Sequence, residues 1–530
     1  MQFATLDYIV LLGYILIIVG IGLFVSRRDK KRERNASDYF LANKGLTWWV
    51  IGASLIASNI SAEQFIGMSG SGFKIGLGIA SYEWMAALTL VIVAVFFMPV
   101  FLRQGIYTMP QFLEQRYDKR VKTVMAVFWV VTFIFVNLTS VLYLGSLALK
   151  NVTGGDVITI LNISFDPLVL GIILLGVFTS IYSVYGGFKA VVYTDVVQVF
   201  FLVGGGLLTT YLALEALGGT AVEGFVKITK MAPEKFHMIL DKNNPNYIDL
   251  PGLSVLIGGM WVANLYYWGC NQYIIQRALA AKSIREAQKG LVFAGFIKIL
   301  LPLIVVIPGI VAFVLKAPID RPDEAYPWLL QNFIPAGVKG LCFAALVAAI
   351  VSSLASMMNS ISSIFTMDIY KAFINKNASE HNQVNIGRIA SVVAIIIAMI
   401  IAPLLKNLDQ AFQYIQEFTG FVSPGALAIF LMGMFWKRAT ANGALAAAIA
   451  TFVLSFLFKF LLPSLPFMDR MGIVLILCIL IMIIVAYFEG FRISEKAIKI
   501  DKELFSTSKG FKILAGIIII ILAFLYIYFW

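Results

Sequence analysis

The chain has 530 residues, of which 60% are hydrophobic and only 13% are charged, and its mean hydropathy is +0.88. These values lie far outside the range of soluble globular proteins and predict a polytopic membrane protein. The net charge of +12 does not indicate nucleic-acid binding, because the basic residues gather in short loops between apolar segments, as the positive-inside rule describes. The three cysteines and two histidines are scattered and follow no metal-ligand spacing, so the sequence predicts neither a metal cluster nor a catalytic triad.

About 20 apolar residues cross a bilayer, and by that measure the sequence predicts an all-α protein with about 14 transmembrane helices. The first span, near 8–26, is too long for the apolar core of a signal peptide, and we interpret it as a retained helix. The other spans are expected at about 47–72, 78–101, 123–149, 167–185, 189–214, 253–271, 290–315, 338–366, 388–405, 411–434, 441–461, 470–489 and 510–530. A turn with the sequence Tyr185-Gly-Gly-Phe-Lys-Ala190 separates spans five and six.

The strongly basic loops all fall on one side of this arrangement. The densest run is Arg27-Arg-Asp-Lys-Lys-Arg-Glu-Arg34, and further basic loops follow spans three, seven and thirteen. The positive-inside rule places these loops in the cytoplasm, and an even number of spans then puts both termini outside. We therefore expect a multi-pass protein of the plasma (inner) membrane with both termini extracytoplasmic.

Two sets of five spans begin in opposite orientations, which is the pattern of an inverted repeat. The predicted organisation is an N-terminal extra helix with a basic loop (1–46), a first five-helix repeat (47–214), an extracytoplasmic connector (215–252), a second five-helix repeat (253–434) and three C-terminal helices (435–530). The first helix of each repeat carries polar residues at membrane depth. Helices that break at such positions commonly form the substrate and ion sites of transporters.

The polar residues near these breaks indicate a cavity for a sugar. Sugar hydroxyls need carboxylate and amide acceptors as well as amide and ammonium donors, and an aromatic ring packs against the apolar face of a pyranose. The candidates for polar contacts are Gln64, Glu83, Asn264, Lys298 and Gln416, and the candidate rings belong to Tyr267, Trp268, Tyr82 and Phe412. The alternative is that Glu83 and Lys298 pair with each other, or with other polar groups of the bundle, as structural contacts.

A cation site is predicted between spans two and nine. A helical rise of about 1.5 Å per residue places Ala57 and Ser352 at similar depth, in the middle to inner part of the membrane. An all-oxygen shell suits a hard monovalent cation, and it is offered by the carbonyls of Ala57, Ile60 and Ala349 with the hydroxyls of Ser352 and Ser353. The alternative is that the small residues of span nine serve close helix packing.

Two further charged residues lie near the cytoplasmic side of the predicted bundle. Asp195 in span six and Arg277 just after span seven form a candidate inner pair, either a gate or a structural salt bridge. No Gly-Lys-Ser/Thr phosphate loop is present in the sequence, so the sequence does not indicate an ATP-driven pump.

Six segments together carry a resemblance to a known family. They are Ala53-Ser-Leu-Ile-Ala-Ser-Asn-Ile-Ser-Ala-Glu-Gln-Phe-Ile-Gly67, Ala80-Ser-Tyr-Glu-Trp84, Tyr185-Gly-Gly-Phe188, Trp261-Val-Ala-Asn-Leu-Tyr-Tyr-Trp268, Ala348-Ala-Ile-Val-Ser-Ser-Leu-Ala-Ser356 and Gln410-Ala-Phe-Gln-Tyr-Ile-Gln-Glu417. With these segments the chain resembles, over nearly its whole length, the solute/sodium symporter family and most closely its sodium/glucose cotransporter branch. The resemblance implies a leucine-transporter-like fold of two inverted five-helix repeats, and sodium-coupled import of a hexose (galactose or glucose) by alternating access.

The resemblance also implies roles for single residues. The sugar would be hydrogen-bonded by Gln64, Glu83, Asn264, Lys298 and Gln416, with Asn59 nearby and Trp268 beside it. The inner gate would be Tyr267, the outer gate Met68, Tyr82 and Phe412, the sodium ligands Ala57, Ile60, Ala349, Ser352 and Ser353, and Asp195 would lie on the sodium exit route. The chain departs from the pattern at Ala86, where serine is expected, and this removes one polar contact.

Several alternatives remain at this point. The same machinery would also suit another solute, such as an inositol, a sialic acid or an amino acid, since Glu83 and Lys298 together can clamp a zwitterion. A non-transporting membrane sensor is a second alternative. The sequence shows no appended soluble signalling domain, which argues against a sensor. An enzyme is not expected, because no nucleophile–base pair or metal cluster is evident. The expected partners are sodium, a hexose and the lipid bilayer, and the sequence makes no prediction of oligomeric state.

Overall fold

The computed structural model describes residues 4–28, 36–153, 158–160, 163–405 and 411–530 of the chain. These residues are almost entirely helical, which confirms the all-α class. The α-helices are α1 (Thr5–Arg28), α2 (Ala36–Leu41), α3 (Trp48–Asn59), α4 (Ser69–Lys74), α5 (Ser81–Ile92), α6 (Met98–Gln104), α7 (Met109–Arg116), α8 (Lys119–Thr132), α9 (Thr139–Thr153), α10 (Pro167–Gly218), α11 (Ala221–Met231), α12 (Leu253–Ile257), α13 (Gly259–Gly269), α14 (Gln272–Leu279), α15 (Ile284–Val305), α16 (Ile307–Val314), α17 (Ala325–Phe333), α18 (Val338–Ile364), α19 (Glu380–Ile401), α20 (Ala411–Thr419), α21 (Ser423–Phe435), α22 (Ala441–Leu461), α23 (Phe467–Phe488) and α24 (Lys509–Tyr528). Most of the predicted basic run after the first span, from 29 to 34, lies outside the described residues.

Ten helical segments in the described part of the chain are long and apolar enough to cross a membrane. The other four predicted spans correspond to helices that are short or broken. These four are 47–72 (α3 and α4), 167–185 (the first part of α10), 253–271 (α12 and α13) and 411–434 (α20 and α21). Every predicted span therefore falls on helix, while the number of 14 membrane crossings stays a prediction.

The predicted turn between spans five and six is confirmed within α10. Gly187 has φ 65° and ψ −169°, a conformation that is essentially restricted to glycine. A side chain at this position would also meet the ring of Tyr39, because an added Cβ would lie 2.7 Å from Tyr39 Cδ2. The turn divides α10 into two helices, as the Gly-Gly pair predicts.

Some elements were not predicted from the apolar pattern. A short antiparallel hairpin of β1 (Ile158–Ile160) and β2 (Ile163–Phe165) lies between α9 and α10, and the connector contains α11. In the described part of the chain, four π-helical segments interrupt the spans, at Glu63–Met68, Val93–Phe97, Phe133–Leu138 and Phe365–Ile374. Segments of this kind are frequent at functional sites, and the first of them directly follows the polar break of span two.

The basic loops meet at one end of the bundle. Arg103 in the last turn of α6 forms an ion pair of 3.0 Å with Asp501 in the loop before α24. Lys496 of that same loop donates to the carbonyl of Tyr117 at 2.7 Å. These contacts join the loops after spans three and thirteen, which the charge pattern had assigned to one side.

At the opposite end, contacts join the connector to α4 and to the last helix, and join the first helix to α18. Lys235 of the connector donates to the carbonyl of Lys74 at the end of α4 (2.6 Å), and Met238 N–H donates to the carbonyl of Phe529 (2.8 Å). The Asp7 carboxylate accepts from the backbone N–H groups of Gly337 (2.8 Å) and Gly340 (2.7 Å) where α18 begins. The last helix therefore ends against the connector, and the first helix begins beside the start of α18.

Candidate substrate and cation site

The first helix break lies between α3 and the π-helical segment Glu63–Met68. Helix α3 ends at Asn59, and Ile60 is extended with φ −76° and ψ 110°. In a continuous helix the N–H of Ser61 would donate to the carbonyl of Ala57; here it donates to Oε1 of Gln64 at 3.0 Å. The break therefore removes the helical donor from the Ala57 carbonyl, which makes this oxygen available to a cation.

The second helix break lies between α13 and α14. Helix α13 ends at Gly269, and Asn271 is extended with φ −83° and ψ 121°. Both breaks occur in the two polar helices in which the sequence predicts them. Irregular backbone at membrane depth is tolerated where it lines a cavity inside the protein, and the geometry of the side chains around the two breaks shows such a cavity.

All of the predicted sugar and gate residues line one cavity. These are Asn59, Gln64, Met68, Tyr82, Glu83, Asn264, Tyr267, Trp268, Lys298, Phe412 and Gln416. The same cavity is lined by residues that the sequence analysis did not assign, namely Glu63, Ala86, Ala263, Thr419, Ser423 and Met471. Its volume of about 60 Å³ is enough for a few water molecules. Because the space is small, the polar side chains that line it lie close to one another.

Lys298 of α15 stands at the centre of the polar contacts. Its ammonium donates to Oε2 of Glu83 on α5 and to Oδ1 of Asn59 at the end of α3, and it lies 5.0 Å from the centroid of the Trp268 ring. The proposed structural pairing of Glu83 with Lys298 is therefore present, and it is present inside the cavity. A buried charge pair at membrane depth needs such partners to be tolerated.

Aromatic side chains line the cavity at the places predicted for the outer and the inner gate. On the outer side the rings of Tyr82 and Phe412 meet edge to face, with centroids 5.1 Å apart, and Met68 is buried beside them. On the inner side the hydroxyl of Tyr267 accepts from Asn59 Nδ2 at 3.0 Å and from the Tyr273 hydroxyl at 2.5 Å. These rings and hydroxyls narrow the cavity at two places.

The candidate cation ligands meet where α18 crosses the first break. Ala57, Ile60, Ala349, Ser352 and Ser353 are all fully buried. The hydroxyl of Ser353 lies 3.5 Å from the carbonyl oxygen of Ile60 and donates to the carbonyl of Ser58 at 3.0 Å. The structure thus brings the hydroxyls of α18 next to the carbonyls of the broken helix. This agrees with the prediction that Ala57 and Ser352 lie at similar depth in the membrane.

Asp195 adjoins this cluster and forms the predicted inner pair. Its carboxylate accepts from the hydroxyls of Ser352 (2.6 Å) and Ser54 (2.5 Å) and lies 3.5 Å from Nη2 of Arg277. Arg277 also donates to the Ser356 hydroxyl and the Tyr273 carbonyl. The pair is fully buried, and Ser352 connects it directly to the candidate cation ligands.

A second set of contacts surrounds Gln276 of α14. Nε2 of Gln276 donates to the carbonyl of Phe40 at 2.7 Å, and its Oε1 accepts from the hydroxyl of Ser360 at 2.9 Å. The sequence analysis missed Gln276 and Tyr273 because both follow the helix break, where helical periodicity no longer relates them to α13. Ser54 and Ser58 were detectable, since their spacing of four residues puts them on one face of α3.

A family model described as the sodium:solute symporter family matches residues 39–451. The chain belongs to the sodium:solute symporter family. It is therefore a multi-pass membrane transporter that couples the movement of a solute to sodium, and it is not an enzyme.

Several curated relatives of this symporter are named as sodium cotransporters. A sodium/glucose cotransporter of Vibrio parahaemolyticus is 53% identical over 99% of this chain and 98% of the relative. Sodium/glucose cotransporter 4 of Mus musculus is 31% identical over 89% of this chain and 72% of its own length. The sodium/myo-inositol cotransporter of Homo sapiens is 32% identical over 85% of this chain and 66% of its own.

Solved structures of transporters share the fold of this symporter. A substrate-bound outward-open Na⁺-coupled sialic acid symporter matches with a TM-score of 0.79 and 24% identity, over 92% of this chain and 98% of the other. MhsT in complex with L-phenylalanine matches with a TM-score of 0.51 and 15% identity, over 83% of this chain and all of the other. The fold is the leucine-transporter-like fold of inverted five-helix repeats that the resemblance implies.

Proposed function

We propose that this symporter imports a hexose, galactose or glucose, together with sodium by alternating access. The observation that carries this proposal is the composition of the cavity. It combines carboxylate, ammonium and amide groups with aromatic rings in one small space, and this is the chemistry that recognises the hydroxyls and the apolar face of a pyranose. The relatives support the same substrate class, since they include sodium cotransporters named for glucose and for myo-inositol.

The residues of the cavity take the following roles in this proposal. Gln64, Glu83, Asn264, Lys298 and Gln416 hydrogen-bond the sugar, with Asn59 and Trp268 beside them. Tyr267 closes the inner side, and Met68, Tyr82 and Phe412 close the outer side. Lys298 already donates hydrogen bonds to Glu83 and Asn59, so its ammonium and the Glu83 carboxylate are already removed from bulk water. An entering sugar replaces some of these hydrogen bonds with bonds to its own hydroxyls. Little further desolvation of the two charged groups is therefore required.

The sodium ion binds where the broken helix meets α18. Its ligands in this proposal are the carbonyls of Ala57, Ile60 and Ala349 and the hydroxyls of Ser352 and Ser353, and Asp195 lies on its exit route. Oxygen ligands alone suit a hard monovalent cation. Sodium at this place holds α3 against α18 and stabilises the break from which Gln64 reaches the sugar cavity.

The membrane potential supplies part of the driving force for import. One positive charge that moves through 100 mV contributes about 2.3 kcal/mol, and an inward sodium concentration gradient adds to it. Sodium binds first and stabilises the outward-open form, and the sugar then completes closure of the outer gate. Rearrangement of the repeats exposes both ligands to the cytoplasm.

The domain boundaries and the orientation form part of the same proposal. The repeats comprise 47–214 and 253–434, preceded by one extra helix and followed by three, and the basic loops face the cytoplasm. The ion pair between Arg103 and Asp501 supports a single basic end. The contact between Met238 and Phe529 and that between Asp7 and Gly340 support termini on the connector side, which is extracytoplasmic in this proposal.

Uptake into proteoliposomes tests the proposal. Labelled galactose, glucose, myo-inositol, sialic acid and an amino acid are offered under an inward sodium gradient or an equal potassium gradient. We expect accumulation of a hexose in sodium only, and loss of this accumulation in Lys298→Met, whose side chain keeps its length but loses the ammonium. Accumulation of another solute would contradict the hexose assignment, and no accumulation of any solute by folded protein would favour a sensor.

A further inference from the structure

One carboxylate in the cavity has no role so far. Glu63 is the first residue of the π-helical segment and lines the same cavity as Gln64 and Lys298. Only 8% of Glu63 is exposed, and its Oε1 has no hydrogen-bond partner among the described residues. A buried, unpartnered carboxylate oxygen is costly, and it persists most readily where a ligand completes its hydrogen bonds.

The backbone holds Glu63 in this position. Its N–H donates to the Ser61 hydroxyl at 3.0 Å, and that hydroxyl in turn donates to Oε1 of Gln64 at 3.1 Å. The side chains of Glu63 and Gln64 therefore start from one fixed turn of the break. A ligand in the cavity meets both of them.

The charges that line the cavity do not balance. Two carboxylates, Glu63 and Glu83, face one ammonium, that of Lys298, and Lys298 is already bonded to Glu83 and Asn59. Among the described lining residues no second cation is available to Glu63. With all three groups ionised, the formal charge of the lining is −1, and the carboxylate that lacks an ammonium partner is that of Glu63.

We propose that Glu63 determines charge selectivity: its carboxylate accepts hydrogen bonds from hydroxyls of a neutral sugar and excludes solutes that carry a carboxylate. This inference rests on the proposed function and deepens it, because it restricts the substrate class to neutral polyhydroxylated solutes. A second carboxylate brought next to Glu63 in a space of low dielectric constant is repelled, whereas a sugar hydroxyl donates to it. Repulsion between like charges at contact distance lowers a binding constant by more than about tenfold. By this argument sugar acids, including sialic acids, are excluded.

The test compares matched solutes on the wild-type protein in proteoliposomes. Competition with uptake of labelled hexose in sodium is measured for galactose, galacturonate and galacturonamide. The acid and the amide have nearly the same shape and differ in charge. We expect galacturonate to compete at least about tenfold more weakly than galacturonamide. Equal competition by the two would overturn the proposal, because the discrimination would then be steric.

Variants attribute the effect to Glu63. Glu63→Gln keeps the shape of the side chain and removes the charge, so we expect the ratio of the inhibition constants of acid and amide to fall at least about tenfold. Glu63→Asp keeps the charge and should retain most of the ratio. The matched control is Glu380→Gln, at the exposed first turn of α19, which should leave the ratio unchanged.

The outcomes separate this inference from the proposed function. If wild-type protein takes up no hexose at all, the proposed function fails. If it takes up hexose but Glu63→Gln keeps the wild-type ratio, Glu63 does not determine charge selectivity and this inference fails alone. Should Glu63→Gln not fold, the comparison of acid and amide on wild type and on Glu63→Asp still decides: loss of discrimination in either protein overturns the proposal.

Discussion

The side chain of Gln64 accepts a hydrogen bond from the backbone N–H of Ser61, with 3.0 Å between Ser61 N and Gln64 Oε1. One end of this contact belongs to a residue that lines the sugar cavity. The other end is the Ser61 N–H group, which in a continuous helix would donate to the carbonyl of Ala57. The contact thus links the proposed sugar site to the proposed sodium site within one turn of backbone, which is a direct physical route for coupling between the two ligands.

The first prediction concerns Gln64 itself. Gln64→Ala removes both a sugar contact and the acceptor for Ser61, so the affinity for sugar and the affinity for sodium should both fall, each by about tenfold for the loss of one or two buried hydrogen bonds. Gln64→Glu keeps an acceptor oxygen for Ser61 and should keep most of the sodium affinity. Sodium binding without sugar, measured by calorimetry, compares the three proteins. Unchanged sodium affinity in Gln64→Ala would disprove the link.

The second prediction concerns the hydroxyls of α18. Ser353→Ala removes one proposed sodium ligand and should lower the sodium affinity by about tenfold or more, and sugar binding should weaken only in the presence of sodium. The control is Ser455→Ala, which removes a buried hydroxyl of α22. If Ser353→Ala binds sodium as tightly as Ser455→Ala does, Ser353 is not a ligand.

The third prediction concerns the first helix of the chain. The buried carboxylate of Asp7 accepts from Gly337 and Gly340 at the start of α18, the helix that carries Ser352 and Ser353. Asp7→Ala leaves these N–H groups without an acceptor, which costs about 1–2 kcal/mol. We expect a lower melting temperature and a weaker sodium affinity than in Asp7→Asn, whose Oδ1 still accepts. Equal melting temperatures for Asp7→Ala and the wild type would show that the contact does not stabilise the protein.

The fourth prediction concerns the turn in α10. Gly187 has φ 65°, and its added Cβ would lie 2.7 Å from the ring of Tyr39. Gly187→Ala should therefore destabilise the protein by about 1–3 kcal/mol from backbone strain alone. Gly20→Ala in α1 is the control, because nothing lies within 4 Å of an added Cβ there. Fluorescence-detected size exclusion after heating compares the two, and equal survival would contradict the structural argument.

The sequence, together with the family resemblance that it carries, was sufficient to predict the spans, both breaks and the gathering of the sugar and gate residues. Apolar length identifies spans, and polar residues such as Asn59 and Gln64 at membrane depth are costly enough to mark a cavity. Glu83 and Lys298 were detectable for the same reason. From the sequence, the two residues either pair with each other or line the sugar cavity. In the structure they do both, because their contact lies inside the cavity.

Contacts that depend on the path of the chain after a break could not be predicted. Tyr273 reaches Tyr267 because the backbone turns at Asn271, and no periodicity crosses such a turn. The π-helical segment that begins at Glu63 has the same apolar pattern as ordinary helix. The pairing of Lys298 with Glu83 rather than with Glu63 is likewise a property of the assembled cavity, since Lys298 lies on a helix more than 200 residues away in the sequence.

A measurement of the reciprocal coupling between sodium binding and sugar binding tests sodium–hexose symport most directly. Linkage requires that sodium tightens hexose binding by the same factor by which hexose tightens sodium binding. Isothermal titration of the purified wild-type protein with galactose or glucose, in sodium and in potassium, and with sodium at zero and saturating hexose, gives both factors. For a sodium–hexose symporter we expect the effect of sodium on hexose affinity and the effect of hexose on sodium affinity to be equal factors, both well above one. A hexose affinity that is the same in sodium and in potassium would contradict this expectation.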